Sequence, residues 1–264
     1  MRIMERPNLS EPAEPGGALV MDQRSDVPKA ARVYEALRDA IIAMRLRPGA
    51  RLVEKDICAE LGVSRTPFRD AVMRLAGQRL VTVVPSDATF VNKIILEEVV
   101  EGQIVRESLE LRFAAIAASR FDPSFEQDFE LLLWRQAKAA SRRDVDESFR
   151  IDRDFHRLLC RCAGFPGIWD TIHEANGQLD RVLYRAFPLQ HHYDEVIDEH
   201  RGMVDALRRR DHERIVAIMG PHLRDNLRSF RVLMDREPDL VEFDPGSAAY
   251  EIMASISLER DAAK

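Results

Sequence analysis

The chain has 264 residues, 45% of them hydrophobic and 32% charged, and a net charge of −6. That length allows two domains, each large enough to bury its own core. No run reaches the roughly 18 uncharged apolar residues of a membrane span, and the N-terminus (MRIMERPNLSEPAEPGGALV) has no apolar core like that of a secretory signal, so a cytoplasmic protein without membrane contact is expected.

Residues 1–27 hold Pro7, Pro12, Pro15, Gly16 and Gly17 among polar residues and read as a tail. From 29 to 46, Val33, Leu37, Ala40, Ile41 and Met44 recur at steps of three and four, the signature of an amphipathic helix that Pro48-Gly49 stops. A second helix covers about 54–61 and ends at Gly62. Ser64 is placed to cap a third, about 65–78, with Pro67 in its first turn. Two β-rich runs, 80–84 and 88–91, flank the turn signal Pro85-Ser86-Asp87 and predict a hairpin. Three helices and a hairpin over 28–92 make a winged helix-turn-helix, followed by a linker at 92–96.

Beyond 96 the helical period dominates in six pieces, 96–120, 123–142, 145–163, 165–186, 189–210 and 211–235, separated at Asp122-Pro123, Arg143-Asp144, Gly164, Pro188 and Asp211. The expected fold class is therefore mainly α: a winged helix-turn-helix, then an all-α bundle over 96–240. A C-terminal extension, 241–264, reads as a short docked helix or a tail. Cys58, Cys160 and Cys162 are too few for a disulfide framework and read as packed thiols.

Charge is distributed unevenly. Residues 29–92 carry 11 Lys/Arg against 7 Asp/Glu, whereas 93–264 carry 25 against 33. A basic segment beside an acidic body suits a protein that presents one face to phosphate. Within the segment 47–81, Ala59, Leu61, Val63, Phe68, Val72 and Leu75 are expected to form a small core. Ser64, Arg65, Thr66 and Arg69 then fall on the exposed first turns of the second helix of a pair, where a recognition helix meets the major groove. Lys55 is placed for a phosphate. The run Leu46–Val81 resembles the DNA-binding domain of the GntR superfamily, with its L-x-P-G-x-x-L…E…L-A-x-x-L-G-V-S-R-x-P-V-R-x-A-L-x-x-L pattern. The resemblance implies that Lys55, Ser64, Arg65, Thr66 and Arg69 contact palindromic operator DNA in a homodimer. The wing departs from the family's Arg-Gly or His-Gly tip, because an acidic Pro85-Ser86-Asp87 turn does not suit a minor groove.

The second half carries Asp152-x-x-x-His156, two good ligands for zinc or a neighbouring first-row metal on one helix face. His200 and His222 each lie on or beside the apolar face of a later helix. Ordinary core histidines are the plainer reading of these residues. Residues 96–240 resemble the FCD effector domain of the FadR branch of the same superfamily, through Arg106-x-x-Leu109-Glu110, Asp152-x-x-x-His156, Glu199-His200-x-x-Met203-x-x-Ala206-Leu207 and His222. That resemblance implies a divalent ion, zinc first with nickel or manganese as alternatives, on Asp152, His156, His200 and His222. It also implies a small carboxylate effector, with Arg106 as its contact, and a ligand-responsive regulator, with a repressor as the expected polarity. Asn176, Arg181 and Asn226 are further candidates for the pocket wall. The rival readings are a metal-dependent hydrolase or isomerase, which lacks an H-E-x-x-H motif and a base beside the ligands, and a helical interaction scaffold. Glu199 is expected to point off the site.

Overall fold

The computed structural model describes residues 19–21, 26–85, 88–186, 188 and 192–261. They fall into two compact units. The first runs to Ile95 and takes in Leu240–Glu242; the second is Leu96–Asp239 with the residues from Phe243 onward.

In the first unit, α1 (Lys29–Ile42) buries Val33, Tyr34, Leu37, Ala40 and Ile41, the face its spacing predicted. It stops short of the predicted 46, because the backbone turns left-handed at Met44 (φ 57°). β1 (Arg51–Leu52) leads into α2 (Glu54–Leu61) and α3 (Arg65–Gly77). Gly62, between the two helices, has φ 63°, a conformation in which a Cβ is disfavoured. Ser64 occupies the cap position of α3, but its side chain makes no capping bond; its carbonyl instead accepts from the Cys58 thiol at 3.7 Å. Phe68, Ala71, Val72 and Leu75 complete the core with α1. Ala59, expected inside, is exposed, and Ile57 takes the inward position on α2.

The predicted hairpin forms from β2 (Val81–Val83) and β3 (Thr89–Val91), antiparallel, with Val81 opposite Val91. β1 adds to the other edge of β3, giving the order β1-β3-β2. Two residues carry no period of their own, so the sequence did not announce β1. The acidic wing tip, Ser86-Asp87, lies outside the described residues. The segment read as a linker contains β4 (Ile94–Ile95), which pairs in parallel with β5 (Val241–Glu242) from far along the chain.

The second unit contains α4 (Leu96–Ser119), α5 (Glu126–Ser141), α6 (Val145–Cys162), α7 (Ile168–Ala175), α8 (Gly177–Ala186), α9 (His192–Arg208), α10 (His212–Arg236) and α11 (Ala248–Asp261). Three of the predicted breaks are aspartate caps. Asp122 accepts from the Ser124 amide, Asp144 from Glu147 and Asp211 from Arg214, at 2.8–3.0 Å. The piece predicted as one helix over 165–186 is two, broken at the buried Asn176. At that break α4 comes very close: a Cβ on Gly102 would sit 2.8 Å from the Ala175 carbonyl. α10 packs against α4, α8, α9 and α11, so part of the C-terminal extension is a docked helix. The core includes Phe113, Phe129, Ile151, Phe155, Leu207 and Leu223. Among the described residues, no helix is long and apolar enough to cross a membrane.

Candidate metal centre and nucleic-acid interface

Asp152 and His156, one turn apart on α6, meet His200 of α9 and His222 of α10 inside the second unit. All four are buried, and one ligand atom from each lies within 4.8 Å of the others. His156 Nε2 is 3.2 Å from His222 Nε2, and Asp152 Oδ1 is 3.6 Å from His200 Nε2. Ligands about 2.0–2.2 Å from a tetrahedral zinc sit roughly 3.3 Å apart, so these spacings match a shared ion.

The other ring nitrogens strengthen that match. His222 Nδ1 bonds to Glu199 Oε2 at 2.7 Å, His200 Nδ1 to Gln136 Oε1 at 3.0 Å, and His156 Nδ1 faces the Glu110 carboxylate. In the tautomer that donates from Nδ1, His200 and His222 bond to these oxygens, His156 turns its Nδ1 to the Glu110 carboxylate, and the lone pair of each Nε2 faces inward. Two such lone pairs 3.2 Å apart repel, and the buried Nε2 of His200 has no hydrogen-bond partner. A cation satisfies all of these atoms together, so the residues fit a divalent metal. Burial pushes the His200 imidazole well below the usual histidine range, with His222, His156 and Arg106 adding to the shift, so it stays neutral and able to ligate.

Glu199 and Gln136 were not expected here, and Glu199 was expected to point away. It neighbours His200 on α9, but α10 packs beside that helix and brings His222 within reach. For Glu110 a signal existed: it stands four residues after Arg106, on one face of α4. Arg106 Nε bonds to Glu110 Oε1 at 2.7 Å, both side chains being almost fully buried. Burial alone raises the Glu110 carboxyl, but Arg106 and His156 outweigh it and hold it at about 2. A chain of contacts thus runs Arg106, Glu110, His156.

A cavity of about 20 Å³, room for about one water, opens beside the cluster and is lined by Arg106, Asp152, Glu195, Glu199, His222 and Asn226 among others. Asn176 and Arg181 are buried but are not on its wall; Arg181 bonds to Gln178 at 3.1 Å. His173 lies elsewhere, 2.9 Å from Arg153, while His191 and the His192 side chain lie outside what is described.

In the first unit, Lys55, Ser64, Arg65, Thr66 and Arg69 are all exposed, the last four on the opening turns of α3. Lys55 stands in the first turn of α2. Glu54, beside it and at the glutamate of the GntR pattern, bonds Arg69 at 2.8 Å and makes an ion pair with Arg65 at 3.2 Å. The Arg69 hydrogen bond lowers the Glu54 carboxyl below the usual carboxylate range, against a small opposing effect of burial.

Residues 29–91 match the bacterial regulatory proteins of the gntR family, and residues 103–225 match the FCD domain. The chain is 31% identical over 208 residues to the HTH-type transcriptional repressor RspR of Escherichia coli (strain K12), which covers 79% of this chain and 91% of RspR. It is 28% identical over 203 residues to the probable D-xylose utilization operon transcriptional repressor of Paenarthrobacter nicotinovorans, 73% of this chain and 86% of that protein. Among solved structures, a putative GntR transcriptional regulator from Rhodococcus sp. RHA1 matches with a TM-score of 0.61 at 26% identity, over 78% of this chain and 97% of that one. E. coli McbR/YncC shares the fold with a TM-score of 0.69 at 22% identity, over 78% and 99% of the two chains. These families and relatives are transcription regulators, which disfavours the enzyme reading. With a DNA-binding family matched ahead of an effector-domain family, and RspR alike along most of its length, the chain belongs to the GntR family of transcriptional regulators that carry an FCD domain.

Proposed function

We propose that this regulator is a ligand-responsive repressor that binds a palindromic operator as a homodimer, reading it through Lys55, Ser64, Arg65, Thr66 and Arg69. Its second unit holds a divalent ion, zinc first among the first-row metals, on Asp152, His156, His200 and His222. The observation that carries the sensing half is the convergence of three histidine Nε2 atoms whose Nδ1 atoms are already engaged. Three nitrogens and one carboxylate leave coordination positions for a ligand oxygen when the ion expands beyond four.

A small carboxylate is the effector class that suits this centre. The ion and the Arg106 guanidinium are the positive groups at a cavity whose walls otherwise carry Asp152, Glu195, Glu199 and Asp225. A cavity of about 20 Å³ does not contain such a molecule as it stands, so binding requires α8 to α10 to give way around it. That movement is what gives the effector a different affinity for two arrangements, the requirement for any switch. The repressor names of RspR and of the Paenarthrobacter protein support negative polarity.

Two experiments test this reading. Arg65→Ala should abolish preference for the operator while the melting curve is unchanged; retained preference would refute the reading surface. Metal analysis of purified protein should find about one ion per chain, lost in His156→Ala and His200→Ala. A thermal-shift screen of small carboxylates with the metal-loaded protein should find ligands that fail to act after chelation.

A further inference from the structure

We propose that Glu54 is a specificity-determining residue of the DNA-reading surface: its carboxylate holds Arg65 and Arg69 in the posture that reads base edges and withholds their charge from phosphate. The inference rests on the operator-reading role given above to the first turns of α3.

Glu54 is the first residue of α2, where the helix N-terminus favours a carboxylate. One oxygen lies 2.8 Å from Arg69 Nε; the other lies 3.3 Å from Arg69 Nη2 and 3.2 Å from Arg65 Nε. The carboxylate thus bridges two guanidinium groups that are themselves 74% and 65% exposed. Surface pairs of this kind add little to stability, so stability is a poor account of a three-residue arrangement on the exposed side of the helix pair.

Its geometry suits a reading role. A guanidinium is planar, with five N–H groups in a fixed fork. Using the Nε and Nη2 edge of Arg69 on Glu54 sets that plane and leaves the outer edge directed away from α2. The outer edge is the one that pairs with both acceptors of a guanine. Arg65, in ion-pair contact with Glu54 at its Nε, keeps both of its terminal nitrogens for DNA.

Charge adds a second effect. Phosphate attracts cations irrespective of sequence and supplies nearly all non-specific affinity. A carboxylate shared between two guanidinium groups weakens that attraction equally on every duplex. The oriented contacts to the right base pairs are retained, so the preference for them widens.

The test measures binding by fluorescence anisotropy over a range of salt. The probes are the duplex recovered by in vitro selection with the wild-type protein and a random duplex of equal length. Glu54→Gln should bind the random duplex more tightly, with a steeper salt dependence, and lose about tenfold in preference, the worth of one misplaced bidentate contact. Glu54→Asp keeps the charge but retracts the carboxylate by one methylene. It should lose preference with little change in salt dependence. Asp56→Asn removes the same charge from an exposed position on α2 and should shift both duplexes alike.

The inference is overturned if both Glu54 variants keep the wild-type preference, or if Glu54→Gln only shifts both duplexes together as Asp56→Asn does. Should Arg65→Ala lose preference while the Glu54 variants keep it, operator reading stands and the role of Glu54 falls. A wild-type protein that selects no sequence removes both.

Discussion

The His200 imidazole lies flat on the ring of Phe155, with centroids 3.8 Å apart and planes within 5°. Phe155 directly precedes His156, a proposed ligand, on α6 and meets Phe129 of α5 edge-on at 5.5 Å. Gln136 holds one edge of the same imidazole and Phe155 holds its face, so His200 is fixed before any ion arrives. Phe155→Leu, which keeps most of the volume, should weaken metal binding by roughly tenfold, the effect expected of losing an outer-shell support. Competition with a chromophoric chelator measures this; unchanged affinity would show that the stack contributes only packing.

Glu110 is the more exposed to failure, because it serves two partners. Glu110→Gln leaves the buried Arg106 without its carboxylate and His156 with a weaker acceptor. Breaking a buried ion pair costs about 3–5 kcal/mol, so the metal-free protein should melt markedly earlier. Metal affinity should fall by about 10–100-fold in the same variant. A variant that melts early but binds metal as tightly as the wild type would assign Glu110 to stability alone.

The two buried thiols predict a dependence on pH. Burial pushes Cys160 up to about 12 and Cys162 up to about 11, while the unfolded chain ionises its thiols near 8.5. The folded pKa is the higher one, so the contribution of each thiol is complete below 8.5 and is lost as pH rises toward 11 or 12. The slope is about 1.4 kcal/mol per thiol per pH unit. Cys160→Ala with Cys162→Ala should flatten the decline in stability between pH 9 and pH 10.5. A wild-type protein whose denaturation midpoint is constant over that interval would contradict the burial argument.

The pairing of β4 with β5 gives the end of α10 a return path to the first unit. A chain ending at Glu237 lacks β5 and leaves Ile94 and Ile95 without their neighbouring strand. The first unit should then unfold several degrees earlier, on the order of 5 °C for a loss near 1 kcal/mol. Scanning calorimetry of full-length and truncated proteins checks this, and an unchanged first-unit transition would make the strand pair incidental.

Much of the architecture was legible because its signals are local. The face of α1 is written in a period of 3.6, the end of α2 in Gly62, and the breaks before α6 and α10 in aspartates that cap them, with Asp122 capping the short turn that leads into α5. Asp152 and His156 could be paired for the same reason: four residues on a helix is a fixed distance. The two-residue strands β1, β4 and β5 left no trace, since a strand that short has no period and its partner is chosen by the fold.

The sequence by itself therefore determined the order of elements, the buried face of many of them, and the exposed opening of α3 that carries Arg65 and Arg69. Only the tertiary structure decided which histidines meet, that Glu110, Gln136 and Glu199 orient them, that Arg106 pairs with a buried carboxylate, and that Glu54 bridges the two arginines. The first group depends on neighbours within one turn of helix, where geometry is set by the backbone. The second depends on side chains brought together across as many as 66 residues by the packing of separate helices, and no local period encodes that.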